Sequence, residues 1–256
     1  MTQELQQTTG TTAPSTVEYG TGVSPASAVE SSVAAAARAL AEEPSLQETL
    51  DRIVELAVAM VDGCDAAGIS LVTRKGQIET PAASHALARR GDELQYALNE
   101  GPCLDAIRET DLVRTDDLAT EPRWQRWADQ VQDELGVRSM LCVQLFTSET
   151  SHGALNLYSR SVAAFPATTL SMVSTFAAVA AAALTAARTE EQLTSAVQTR
   201  TVIGQAQGIL MERYQLSAQR AFGVLSRVSQ DSNVKLYDLA RQVVETRVLP
   251  QRPSAD

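Results

Sequence analysis

An α+β domain with a central antiparallel sheet and flanking helices, followed by an all-α three-helix bundle, is the fold class this chain predicts. Three observations carry it. Two strongly alternating apolar runs at 139–146 and 153–158 are separated by a short polar turn. Helix-period segments flank them on both sides. Near the end of the chain, three short amphipathic patterns follow one another with only brief connections.

Residues 1–27 are rich in Thr, Ser, Gln and Gly and read as a disordered tail. An alanine-rich helix is expected over 28–41, broken at Pro44-Ser45, and a second over 46–61. In the second, Leu50, Ile53, Val54 and Ala57 make one face. Residues 66–73 alternate through Ala67, Ile69 and Leu71 and predict a strand turned at Arg74-Lys75-Gly76. A shorter strand follows at 77–80, and 81–99 shows no period and is assigned to irregular structure. Pro102 suits the first turn of a helix over 102–108. A short strand is expected at 112–114 and a helix at 122–135, with Trp124 and Trp127 on one face.

The two strong strands close the sheet domain. In the first, Leu141, Val143 and Leu145 share one face and Met140, Cys142, Gln144 and Phe146 the other. In the second, Leu155 and Leu157 oppose Ala154, Asn156 and Tyr158. From residue 167 a long helix leads out, with Leu170, Val173, Ala177, Ala180, Leu184 and Ala187 near heptad spacing. That seam fits either a partner helix, hence a homodimer, or the chain's own sheet.

Within 199–228, Ile203, Ala206 and Leu210 begin the bundle's apolar stripe, and Ser217 is placed to cap a second helix. Ala221, Val224, Leu225 and Val228 follow, then Leu236, Leu239, Ala240, Val243 and Val244. Gly204 and Gly208 lie i, i+4 on the first of these helices and suit a closely approaching neighbour. The domain boundaries expected are 28–187 for the sheet domain with its helices, 188–248 for the bundle and 249–256 for a terminal tail.

Charge is uneven. Residues 193–250 hold seven basic and four acidic side chains, a net +3 in a chain of −10, leaving −13 elsewhere. Such a module can meet phosphate while the body avoids it. Cys64, Cys103 and Cys142 are odd in number, without metal-ligand or C-x-x-C spacing. Nothing at the start resembles a signal peptide, and the uncharged run 161–187 has too few large apolar side chains for a span. A cytoplasmic protein with no membrane segment is the expectation.

Catalysis has thin support. His85 and His152 are the only histidines, no Ser/His/Asp or paired-carboxylate arrangement can be placed, and Gly204-x-x-x-Gly208 lacks the Lys-Ser/Thr of a phosphate loop. Cys103 near a helix start is either a reactive thiolate or a small core residue. Polar Gln144 and Asn156, with Cys142 and Tyr158 beside them on the same strand faces and Cys103 near, form the candidate ligand pocket; ligand and cofactor are unknown at this level.

Two resemblances sharpen this reading. The string Val202-Ile203-Gly204-Gln205-Ala206-Gln207-Gly208-Ile209-Leu210-Met211-Glu212-Arg213, with Leu216-Ser217 and Ala221-Phe222, resembles the ANTAR domain over 193–247. That resemblance implies a three-helix RNA-binding module of bacterial transcription antiterminators, recognising hairpin loops in nascent RNA. One position departs: Gln207 stands where the family usually has lysine. Asp65-Ala66-Ala67-Gly68-Ile69-Ser70-Leu71, Glu100-Gly101-Pro102-Cys103-Leu104-Asp105-Ala106 and Gly153-Ala154-Leu155-Asn156-Leu157-Tyr158 resemble a GAF domain, most like those fused to ANTAR modules in actinobacteria. That implies a sensory module with a small-ligand pocket, working as a dimer.

Within the bundle, Arg200, Gln207 and Tyr214 recur every seven residues and so form one stripe, with Arg220, Arg227 and Lys235 as further candidate RNA contacts. The alternatives are a small-ligand or redox sensor acting through protein partners without RNA, or a GAF-type reductase of free methionine sulfoxide.

Overall fold

A computed structural model describes residues 25–73, 75–148 and 151–249. Helices α1 (Pro25–Ala41) and α2 (Leu46–Met60) come first. Ser45 starts α2 by accepting the Glu48 N–H on its hydroxyl. Residues 25–27 thus belong to α1 rather than to the expected tail, most of which, residues 1–24, lies outside the described residues.

Strands β1 (Ala66–Val72), β2 (Ile78–Ala83), β3 (Leu112–Thr115), β4 (Ser139–Ser148) and β5 (Ser151–Ser159) form one antiparallel sheet in the order β2-β1-β5-β4-β3. The expected hairpin is β4–β5, with Cys142 opposite Asn156 and Met140 opposite Tyr158. β5 then pairs with β1, which sets Gly68 beside Asn156.

The sheet is covered on both faces. Leu141, Val143, Leu145, Leu155 and Leu157 face a core closed by α1, α2 and the long helix α6 (Ala167–Tyr214). Met140, Cys142, Ala154 and Tyr158 face a second core under α3 (Ala86–Leu98), α4 (Pro102–Arg108) and α5 (Gln125–Leu135). The two strand faces therefore divide as their alternation requires.

Helix α3 corrects the expectation of irregular structure over 81–99. His85 caps it, its Nδ1 accepting the Leu87 N–H, and Asn99 closes it in the left-handed conformation at φ 53°. Its buried face includes Gly91, Asp92 and Gln95 beside Leu87, Ala88 and Leu94. Polar side chains on the inner face erase the apolar period that announces a helix. The expected helix at 122–135 begins only at Gln125, with Trp124 as its N-cap residue. Trp124 and Trp127 meet edge to face with centroids 6.4 Å apart. Their indole N–H groups donate to Asp105 Oδ2 and the Gly91 carbonyl, tying α5 to α4 and α3.

Helix α6 is continuous for 48 residues, with no Gly or Pro before Gly204, and runs on through Gly204 and Gly208. Its seam of Val173, Ala177, Ala180 and Leu184 is buried within the chain, packed on the sheet with α1 and α2. The partner helix expected along 167–187 finds that seam occupied, because small alanines let α6 lie close on its own sheet. By length and composition alone α6 would be able to cross a membrane, its most apolar 18-residue window having mean hydropathy 1.8. A span would strip Phe176, Ala180 and Leu184 from the core they complete.

The end of α6 enters a third core with α7 (Ala218–Ser232) and α8 (Leu236–Thr246), built on Ala206, Leu210, Ala221, Leu225, Leu239, Ala240 and Val243. Ser217 caps α7 as expected, accepting the Arg220 N–H. Residues 250–256 of the expected terminal tail lie outside the described residues.

Candidate functional site

Beneath α3 and α4 the sheet carries a buried polar cluster centred on Asp92. Its carboxylate accepts from Tyr158 OH at 2.5 Å and Asn156 Nδ2 at 2.8 Å on Oδ1, and from Thr80 Oγ1 at 3.0 Å on Oδ2. Gln95 Nε2 donates to the Tyr158 hydroxyl at 3.0 Å, and Gln95 Oε1 accepts the Cys103 N–H at 2.8 Å. Asn156 Nδ2 and Cys103 Sγ both donate to Ser70 Oγ, which meets Tyr96 OH, which in turn meets Thr80 Oγ1. Hydroxyls can donate in only one direction each. With Thr80 donating to Asp92, the chain runs from Ser70 through Tyr96 and Thr80 into the carboxylate.

Glycines make room for this packing. A Cβ on Gly68 would stand 2.8 Å from Asp92 Oδ2, and one on Gly101, at φ 143°, would overlap Gln95 Oε1.

Asp92 is fully buried, and its carboxyl is pushed up to about 7, chiefly by burial. Hydrogen bonds from Tyr158, Thr80 and Asn156 and the charge of Arg89 pull the other way. The thiols of Cys103 and Cys64 are pushed up to about 12 by burial, and that of Cys142 is raised for the same reason. Such thiols stay protonated and are poor nucleophiles. Among the described residues, Asn156 Oδ1 is one of two buried side-chain oxygens without a hydrogen-bond partner, Thr73 Oγ1 being the other.

The structure brings Cys103, Cys142, Asn156 and Tyr158 together in this interior, all fully buried. Gln144 sits apart, half-buried, its amide donating to the Ile107 carbonyl at 3.2 Å. Asp92, Gln95 and Tyr96 escape a reading of the sequence because α3 itself does. Ser70 and Thr80 carry no signal beyond being small polar residues in strands.

The bundle presents the other candidate residues. Arg200, Tyr214, Arg220, Arg227 and Lys235 are exposed, Tyr214 by 49%. The Arg213 guanidinium lies 5.9 Å from the Tyr214 ring centroid. Gln207 is half-buried, and its Nε2 donates to the Ala218 carbonyl at 2.7 Å, tying α6 to the start of α7. Gly204 and Gly208 are exposed, and a Cβ on either would meet nothing within 4 Å.

Comparison with known proteins follows this division. A GAF domain model matches residues 43–185, and an ANTAR domain model matches residues 191–244. No curated protein matches the chain. Among solved structures, the free methionine-R-sulfoxide reductase from Neisseria meningitidis superposes with TM-score 0.52 at 17% identity, over 63% of this chain and 91% of that one. The GAF domain of a phosphoenolpyruvate-protein phosphotransferase from Coxiella burnetii gives 0.51 at 16%, over 66% and 99%. The phytochrome photosensory core module of Stigmatella aurantiaca gives 0.53 at 13%, over 80% of this chain and 45% of that one. At these identities the likeness is one of fold. With more than half its length matched, the chain belongs to the GAF domain family, and an ANTAR domain follows its sheet domain.

Proposed function

We propose that this chain is a cytoplasmic, signal-responsive regulator of the actinobacterial GAF–ANTAR kind, which promotes transcription antitermination by holding hairpin loops of nascent RNA. The observation that carries the reading is α6 itself. One unbroken helix completes the core under the sheet with Phe176 and Leu184, and the core of the bundle with Ala206 and Leu210. A change in the sheet domain that shifts or releases α6 is therefore carried to the bundle along one helix.

The input site in this reading is the Asp92 cluster, where Asn156 Oδ1 has no hydrogen-bond partner among the described residues and a small polar ligand entering the cluster would donate to it. The output surface is the set of exposed basic residues Arg220, Arg227 and Lys235 with the Tyr214 ring, and with Gln207 at their margin. Cations contact phosphate, and an aromatic face stacks an unpaired loop base. The protein acts as a homodimer, presenting two bundles to RNA. No catalytic step is assigned, because the one candidate nucleophile, Cys103, is buried and holds its proton.

Crosslinking of the protein to RNA in cells, followed by pull-down and sequencing, tests the reading. Enrichment of leader RNAs that contain hairpin loops is expected. Recovery of proteins but no RNA would favour a sensor acting through protein partners.

A further inference from the structure

Between its two cores α6 runs bare: residues 189–198 are all exposed, and Leu193 and Val197 each show 63% of their surface to solvent. A helical stretch without tertiary packing is marginal by itself, and two large aliphatic side chains one turn apart make an apolar patch on it. Glu190 and Arg200 flank that patch, three residues out on either side, and neither takes part in an ion pair within the described residues. At about 100° per residue these four side chains fall within one sector of about 80°.

The face is a palindrome in chemistry. Glu190 and Arg200 are equidistant from Ser195, as are Leu193 and Val197. Farther out in the same sector, Ala186 balances Gly204 and Ala182 balances Gly208, all exposed. A second copy laid antiparallel, its two-fold axis level with residue 195, therefore sets leucine on valine at the centre. It sets glutamate level with arginine on both flanks, and alanine on glycine at the ends, where backbones can approach closely. A parallel copy would set Glu190 on Glu190 and Arg200 on Arg200, which like charges oppose. The exposed glycines fit the antiparallel arrangement, since no contact within the chain requires them.

We infer that two copies of this chain cross antiparallel through the Glu190–Leu193–Val197–Arg200 face of α6, each sheet domain lying beside the other copy's bundle. This deepens the homodimer named above by giving its surface and direction, and it does not depend on RNA binding.

Sedimentation of the full chain over a concentration series tests it. Glu190→Arg and Arg200→Glu should each weaken self-association about tenfold, as two flanking pairs become repulsive. The double variant should recover it, because the exchanged charges pair again. Direction is read by cross-linking, with the three native cysteines buried. A mixture of Ala186→Cys and Gly204→Cys proteins should give covalent dimers, and neither protein alone should do so, because like positions then stand about 27 Å apart along the helix. Cross-linking of each variant with itself means a parallel pair and overturns the inference. A chain that stays monomeric overturns it as well. If that monomer loses hairpin-loop RNA when Arg200→Glu is introduced, RNA occupies the face instead.

Discussion

The Tyr158 hydroxyl of β5 donates to Asp92 Oδ1 of α3 across 2.5 Å, and both side chains are closed off from solvent. Through this contact a helix with a polar inner face is held on the middle of the sheet. It also places an ionisable group away from any directly bonded cation. The counter-charge that acts on it is that of exposed Arg89, whose guanidinium bonds the Thr80 carbonyl.

Asp92 should give stability a slope with pH. Its carboxyl stands near 7 in the folded chain, against about 3.9 when unfolded. Below about pH 4 both states are protonated, and the favourable contribution is fully present. From there to about 7 the folded state keeps a proton that the unfolded state has released, so stability falls as pH rises, by on the order of 4 kcal/mol, and then levels. Asp92→Asn should remove this component. Denaturant midpoints of both proteins between pH 4 and 8 measure it: their difference should change through the window, and parallel curves would contradict the assignment.

Gln207 should matter to the bundle before it matters to any ligand. Gln207→Leu removes the donor to the Ala218 carbonyl, and the bundle should lose about 1 kcal/mol. Gln207→Lys keeps a donor at that place and should lose little. Thermal unfolding of the two variants separates them.

The exposed glycines should behave oppositely to glycines that are packed. Gly223→Ala adds a methyl group that meets nothing in the chain, so it should stabilise α7, by up to about 1 kcal/mol. Gly68→Ala drives a carbon to 2.8 Å from Asp92 and should destabilise the sheet domain. Unfolding midpoints of the two variants should shift in opposite directions.

Much of this architecture is legible in the sequence because apolar spacing matches element period. Strands β4 and β5 alternate cleanly, Ser217 caps where a hydroxyl cap is expected, and α6 has no Gly or Pro before Gly204. What stays hidden is structure built on polar burial. Asp92 and Gln95 read as surface residues in a sequence and are fully buried here, because their partners Thr80 and Tyr158 come from strands of the sheet beneath them. The near-heptad of α6 is visible, but periodicity alone cannot say whether a seam meets a second copy or the chain's own sheet. The amide of Gln207 likewise reads as a surface group until Ala218 is brought beneath it.

Titration of the full chain with a hairpin-loop RNA at several salt concentrations tests the central claim most directly. Binding should weaken as salt rises. Replacing Arg220, Arg227 or Lys235 by alanine should flatten the log K versus log salt slope by roughly 0.7 to 0.9 for each phosphate no longer neutralised, and Gln207→Lys should steepen it by a similar amount. No binding at low salt, or one slope shared by the chain and all four variants, would contradict the account.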